Sequence, residues 1–102
     1  MGNLVRVASA EDIPPGSAKL VEVEGKRLAV FNVEGRYYAI DDTCPHRGGP
    51  LSEGELVGEV VSCPWHFSTF SVATGAVLSP PSVKGVTSYR ILESGGELST
   101  EL

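Results

Sequence analysis

Apolar and polar positions alternate along this chain in short runs of period two, and almost every run stops at a glycine or a proline. Leu4-Val5-Arg6-Val7 is the first strand candidate, followed by a segment of turn or short-helix composition from Ala8 to Gly16. From Lys19 to Val23, Leu20 and the charged Glu22 fall on one face and Val21 and Val23 on the other, as in a half-buried strand. Arg27 to Asn32 and Tyr37 to Ile40 come next, joined through Glu24-Gly25-Lys26 and Glu34-Gly35-Arg36. Connections that short permit only antiparallel neighbours, so these three runs predict a meander.

The middle of the chain breaks the rhythm. Asp41 to Glu55 is loop-like, with Gly48, Gly49, Pro50 and Gly54 close together. Val57 to Ser62 then predicts a strand that delivers Cys63 at its end, and Phe70-Ser71-Val72 and Ala76 to Leu78 flank a turn at Ala73-Thr74-Gly75. Ser79-Pro80-Pro81-Ser82 interrupts any ladder, because neither proline has an N–H to donate. Val86 to Leu92 and Glu97 to Thr100 close the chain around Ser94-Gly95-Gly96. About nine short strands, no sustained helical repeat and no linker predict an all-β antiparallel sandwich or small barrel, one domain over residues 1–102.

Composition narrows the function. With 102 residues, 41% hydrophobic and 21% charged, the chain reads as an ordinary globular domain with a modest core. Eight basic against thirteen acidic residues give a net charge of −5, which argues against nucleic-acid binding. The same surplus suits solubility, or steering toward a partner with a positive docking patch. The apolar stretches, such as Leu28 to Phe31, are too short to span a bilayer, and the N-terminal residues carry no apolar signal core. The expectation is a cytoplasmic protein.

All the chemistry-bearing residues sit in one window. The two cysteines and two histidines are Cys44-Pro45-His46 and, after a sixteen-residue gap, Cys63-Pro64-Trp65-His66. Thiolate is soft and imidazole borderline, so this set suits zinc or iron–sulfur chemistry and disfavours calcium or magnesium. A Cys₂His₂ zinc finger pairs Cys with Cys and His with His along the chain, whereas each local pair here mixes the two. Two loops that each offer one Cys and one His can place both thiolates on one metal and both imidazoles on another. A structural zinc and, less in keeping with a cytoplasmic chain, a disulfide remain alternatives on the residues alone.

The stretches Cys44-Pro45-His46-Arg47-Gly48-Gly49-Pro50-Leu51 and Cys63-Pro64-Trp65-His66, continuing through Phe70 and Thr74-Gly75, resemble the two ligand loops of Rieske proteins. The resemblance runs over most of the chain. It implies one [2Fe–2S] cluster, with Cys44 and Cys63 on one iron and His46 and His66 on the other, held by loops at about residues 42–51 and 62–70. Pro80-Pro81 resembles the third loop, at about residues 79–82, that covers the cluster. The implied fold is a Rieske-like β sandwich with a two-loop cluster-binding subdomain. Backbone N–H groups from Gly48, Gly49 and their neighbours are expected donors to the sulfurs. Neutral imidazoles leave the oxidised cluster uncharged where four thiolates would leave it doubly negative, so His ligation raises the potential, into roughly −150 to +300 mV for the class.

Differences within the family choose a branch. Gly49 and Trp65 stand where the Rieske proteins of cytochrome bc complexes carry an extra disulfide, and Phe70 stands where they carry a sulfur-bonding Tyr. Ser68 matches the position of their sulfide-bonding hydroxyl. Fewer donors imply a lower potential. Both histidines are used by the cluster, so the mononuclear iron site of a Rieske oxygenase has no ligands here. The chain resembles the separate ferredoxin that carries single electrons from a flavoprotein reductase to a terminal oxygenase, docking transiently near His46 and His66 as a monomer. It has no catalytic residues of its own on this reading. The competing functions are a small Rieske subunit of an assimilatory nitrite reductase and a zinc-stabilised binding module. One departure stands out: Phe67 occupies the place of the family's usual Gly after the second His. It either packs on an ordinary backbone or presents an aromatic that shapes partner docking.

Overall fold

The computed structural model describes residues 4–65 and 67–101. Their strands are β1 (Leu4–Ser9), β2 (Ala18–Val23), β3 (Lys26–Val33), β4 (Arg36–Asp41), β5 (Glu55–Val57), β6 (Val60–Ser62), β7 (Thr69–Ser71), β8 (Val77–Ser79), β9 (Ser88–Tyr89), β10 (Ile91–Ser94) and β11 (Glu97–Glu101). Single 3₁₀ turns at Ala10–Asp12 and Leu51–Glu53 are the only helical segments among the described residues. The meander β2-β3-β4 forms as the sequence predicts. Val23 pairs with Lys26 and Val33 with Arg36, which leaves Glu24-Gly25 and Glu34-Gly35 as two-residue turns. All four turn residues have positive φ, the geometry that matches the twist of paired strands and that glycine accepts freely.

Three antiparallel sheets result, in the orders β1-β11-β10, β2-β3-β4-β9 and β5-β6-β7-β8. The strand β3 explains how they stack. Its run Leu28-Ala29-Val30-Phe31 is buried on both faces, and alternate residues feed different cores. Leu28 and Val30 join Val7, Ile13, Val21 and Leu98 on one side. Ala29, Phe31 and Val33 join Leu51, Val61, Phe70, Cys44 and Cys63 on the other. Tyr37 and Tyr38 divide in the same way, each half-buried against a different core.

Two strand assignments differ from the alternation pattern. Val57 to Ser62 is a hairpin, not one strand, because Gly58 takes a φ of 59° and turns β5 back onto β6. Val86 to Leu92 splits at Arg90: β9 pairs with β4, and β10 pairs with β11 in another sheet. Asp41 fixes the first of these pairings. It accepts hydrogen bonds from the Thr87 N–H (3.2 Å) and the Tyr89 hydroxyl (2.7 Å).

Burial first, then the hydrogen bond to Asp41 and its charge, push the Tyr89 phenol up to about 12 from 10.0. The folded value lies above the unfolded one, so the contribution of this bond is complete below about pH 10 and is lost as the pH climbs through 12. Tyr89→Phe is therefore expected to be less stable than wild type near neutrality, with the gap closing across that window. Urea denaturation of both proteins over a pH series reads the difference directly.

Candidate metal centre

The first ligand-bearing loop follows β4 and is closed at its base. Thr43 and Pro50 form an isolated bridge, the Cys44 N–H donates to the Gly49 carbonyl (2.9 Å), and the Gly48 N–H donates to the Cys44 carbonyl (2.7 Å). Asp42, 2% exposed, anchors the loop from below. Its carbonyl accepts from Leu51 N–H (2.7 Å) and its carboxylate from Ser52 N–H (2.7 Å), so buried acceptors on both its main chain and its side chain are hydrogen-bonded.

The second loop is the connection between β6 and β7. Cys63 N–H donates to the Ser68 carbonyl (2.8 Å) and Phe67 N–H to the Cys63 carbonyl (3.1 Å), which draws Phe67 and Ser68 tightly back onto Cys63 at the end of a hairpin. The third, proline-containing segment follows β8 and is tied to the second. Buried Ser68 accepts through its hydroxyl oxygen from the Ser82 N–H (2.7 Å), and Ser82 in turn donates to the Lys84 carbonyl (2.9 Å). The sheet β5-β6-β7-β8 thus carries the second and third loops, and β5 begins just after the first.

These loops bring Cys44 and Cys63 together. Both are buried, both are free thiols, and both belong to the apolar cluster of Phe31, Leu51 and Phe70. Burial pushes the Cys63 thiol up, a hydrogen bond from the Trp65 backbone draws it down again, and the adjoining Cys44 raises it. His46 is half-buried on the first loop. The fourth predicted ligand, His66, lies outside the described residues. The donor chemistry fits an iron–sulfur cluster: two thiols from separate loops adjoin in a dry pocket, without a disulfide between them, and one already receives a backbone hydrogen bond.

Gly49 and Trp65 face each other as the family resemblance implies. A Cβ built on Gly49 would lie 3.2 Å from the Trp65 Cβ, 3.0 Å from its Cγ, and only 2.7 Å from the Cys63 Sγ. Trp65 covers Gly49 on one side and remains 49% exposed, a partial lid over the loop. Of the backbone donors that the sequence suggests, the Gly48 N–H is committed to the Cys44 carbonyl. Of the two readings of Phe67, the packed one on an ordinary backbone does not hold: its φ is 63° and the residue is 71% exposed. Asp42 and Ser82 hold the loops in place, each through a partner ten or more residues away in sequence.

The Rieske [2Fe-2S] domain model matches residues 3–90. The ferredoxin component of the naphthalene 1,2-dioxygenase/salicylate 5-hydroxylase systems of a Ralstonia species is 38% identical over 89 residues, covering 87% of this chain and 86% of that protein. The ferredoxin of carbazole 1,9a-dioxygenase from Nocardioides aromaticivorans superposes with a TM-score of 0.92 at 31% identity, over 97% of both chains. A complex of reduced oxygenase and oxidized ferredoxin in carbazole 1,9a-dioxygenase contains a chain that superposes at 0.89 with 35% identity, over 96% of this chain and 92% of that one. These relatives favour neither the nitrite reductase subunit nor the zinc module. With its all-β sheets, its adjoining thiols and these matches, the chain belongs to the Rieske [2Fe-2S] domain family and carries one cluster of the two-Cys, two-His type.

Proposed function

We propose that this protein is a one-electron carrier that takes electrons from a flavoprotein reductase and delivers them to the terminal oxygenase of an aromatic-ring dioxygenase system. The observation that carries the reading is the pair of buried thiols from two loops, set beneath an exposed edge that includes Trp65 and Phe67. Cys44, His46, Cys63 and His66 would hold the cluster, whose chemistry is the reversible gain of one electron. The protein's own residues set the conditions. Phe31, Leu51 and Phe70 keep water from the thiolates, and the Trp65 N–H stabilises negative charge on the Cys63 sulfur. Phe70 offers no hydroxyl, which keeps the potential toward the low end of the class. The protein is an electron-transfer component and not a catalyst.

On this reading residues 1–102 form one Rieske domain, with cluster loops at about 42–51 and 62–70 and a covering loop at about 79–82. No helix among the described residues is long and apolar enough to cross a membrane. A cytoplasmic monomer that docks transiently near His46 and His66 completes the proposal. The test is electron delivery. Dithionite-reduced protein, mixed anaerobically with the purified terminal oxygenases of the naphthalene and carbazole systems, is expected to be reoxidised with one electron transferred per chain. Reduced protein that stays reduced with both would overturn the carrier reading.

A further inference from the structure

Among the described residues of the second loop, Phe67 has a side chain that neither the core nor the metal chemistry uses. Its φ of 63° lies in the left-handed region, which a bulky side chain enters only against steric resistance. Two other non-glycine residues share positive φ, Glu24 and Glu34, both in two-residue hairpin turns and both carrying a solvated side chain. Phe67 takes it in the tight turn of the second loop, where the family's usual Gly would be unstrained. Phe67 gains no compensating burial, because the residue is 71% exposed. An aromatic held outward on a strained backbone is suited to contact with something outside the chain.

The surroundings indicate what that is. Trp65, 49% exposed, lies two residues away. Phe67 also forms one wall of a cleft of about 260 Å³, with Cys63 and Pro64 on its own loop and Gly54, Glu53 and Glu55 opposite. Glu53 and Glu55 are exposed and enter no ion pair among the described residues. The patch is therefore an aromatic projection beside an acidic rim, continuous with the loop that holds Cys63, on a protein whose net charge is −5. We propose that Phe67 is a docking anchor that inserts into an apolar socket on the terminal oxygenase, with Glu53 and Glu55 facing Lys or Arg side chains at the socket's border. This rests on the carrier reading above and adds to it the residues and the chemistry of the contact.

The test uses the whole protein with its cluster. Phe67→Gly and Phe67→Asn both tolerate positive φ, so the loop is retained, and Phe67→Tyr preserves the ring. The visible and electron paramagnetic resonance spectra of all three are expected to match wild type. Stopped-flow oxidation of each dithionite-reduced protein is then followed with whichever of the naphthalene and carbazole terminal oxygenases the wild type reduces. The Gly and Asn variants are expected to react about tenfold more slowly at limiting oxygenase concentration, and Tyr near the wild-type rate, the scale for one aromatic anchor. Glu53→Gln with Glu55→Gln is expected to flatten the ionic-strength dependence of the same rate. Wild-type rates for Phe67→Gly with an unaltered spectrum would overturn the anchor and leave the carrier reading intact. A wild-type protein with its cluster signal that reduces neither oxygenase would refute the carrier reading, and the anchor with it.

Discussion

Exchanging Cys63 for serine is expected to leave a protein with β-sheet circular dichroism but no visible colour and almost no bound iron, and Cys44→Ser the same. A serine hydroxyl does not ionise near neutral pH and is a hard donor, so it cannot replace a thiolate on iron. Both sulfurs lie in the apolar cluster with Leu51, Val61 and Phe70, which supplies no replacement donor. His46→Cys is the informative counterpart. It keeps a soft ligand but adds one negative charge, so a cluster is expected to assemble at a potential lower by on the order of 100 mV, moving toward the roughly −400 mV of all-Cys plant-type ferredoxins. Iron analysis and a potentiometric titration check the pair. Full iron content in Cys63→Ser, or an unchanged potential in His46→Cys, would show that these residues are not ligands.

Alanine at Gly49 is expected to cost the protein most of its cluster, whereas alanine at the adjacent Gly48 is expected to cost only stability. At Gly49 the added methyl would sit 2.7 Å from the Cys63 Sγ and 3.0 Å from the Trp65 Cγ. The half-exposed Trp65 ring can turn aside, though its Cβ at 3.2 Å cannot, and Cys63 is fully buried against its core neighbours. Overpacking of this kind costs about 1–3 kcal/mol, and here it falls on the sulfur's position, so cluster occupancy drops severalfold. At Gly48 the nearest atom to an added Cβ is the Thr43 methyl at 3.9 Å, and the obstacle is a φ of 82°. Gly48→Ala is expected to lower stability by about 1 kcal/mol through that strain and to keep its colour. Thermal melts and the visible absorbance per chain separate the two effects.

What the sequence disclosed, and what it withheld, follows from the range of the forces involved. The meander β2-β3-β4 was legible because its evidence is local: alternation at Lys19 to Val23, a four-residue apolar run in β3, and Gly25 and Gly35 at the turns. The ligand set was legible because cysteine and histidine are scarce here and all four lie within one window. The division of Val86 to Leu92 between two sheets was not, since it depends on Asp41, nearly fifty residues earlier, gripping Tyr89. The ties made by Asp42 and Ser82 were hidden for the same reason: one closes the two ends of the first loop on each other, and the other joins the second loop to the third. Gly58 is a local turn signal, masked in the sequence by the apolar residues on either side, which together have the pattern of one run. Phe67 was visible as a departure from the family pattern, but its left-handed backbone and exposed ring emerged only in three dimensions.

Electron paramagnetic resonance of the purified, dithionite-reduced protein tests the central claim most directly. A rhombic signal with the low average g of a mixed His/Cys cluster, integrating to one spin per chain, is the predicted result. A silent, colourless sample that contains zinc would contradict it.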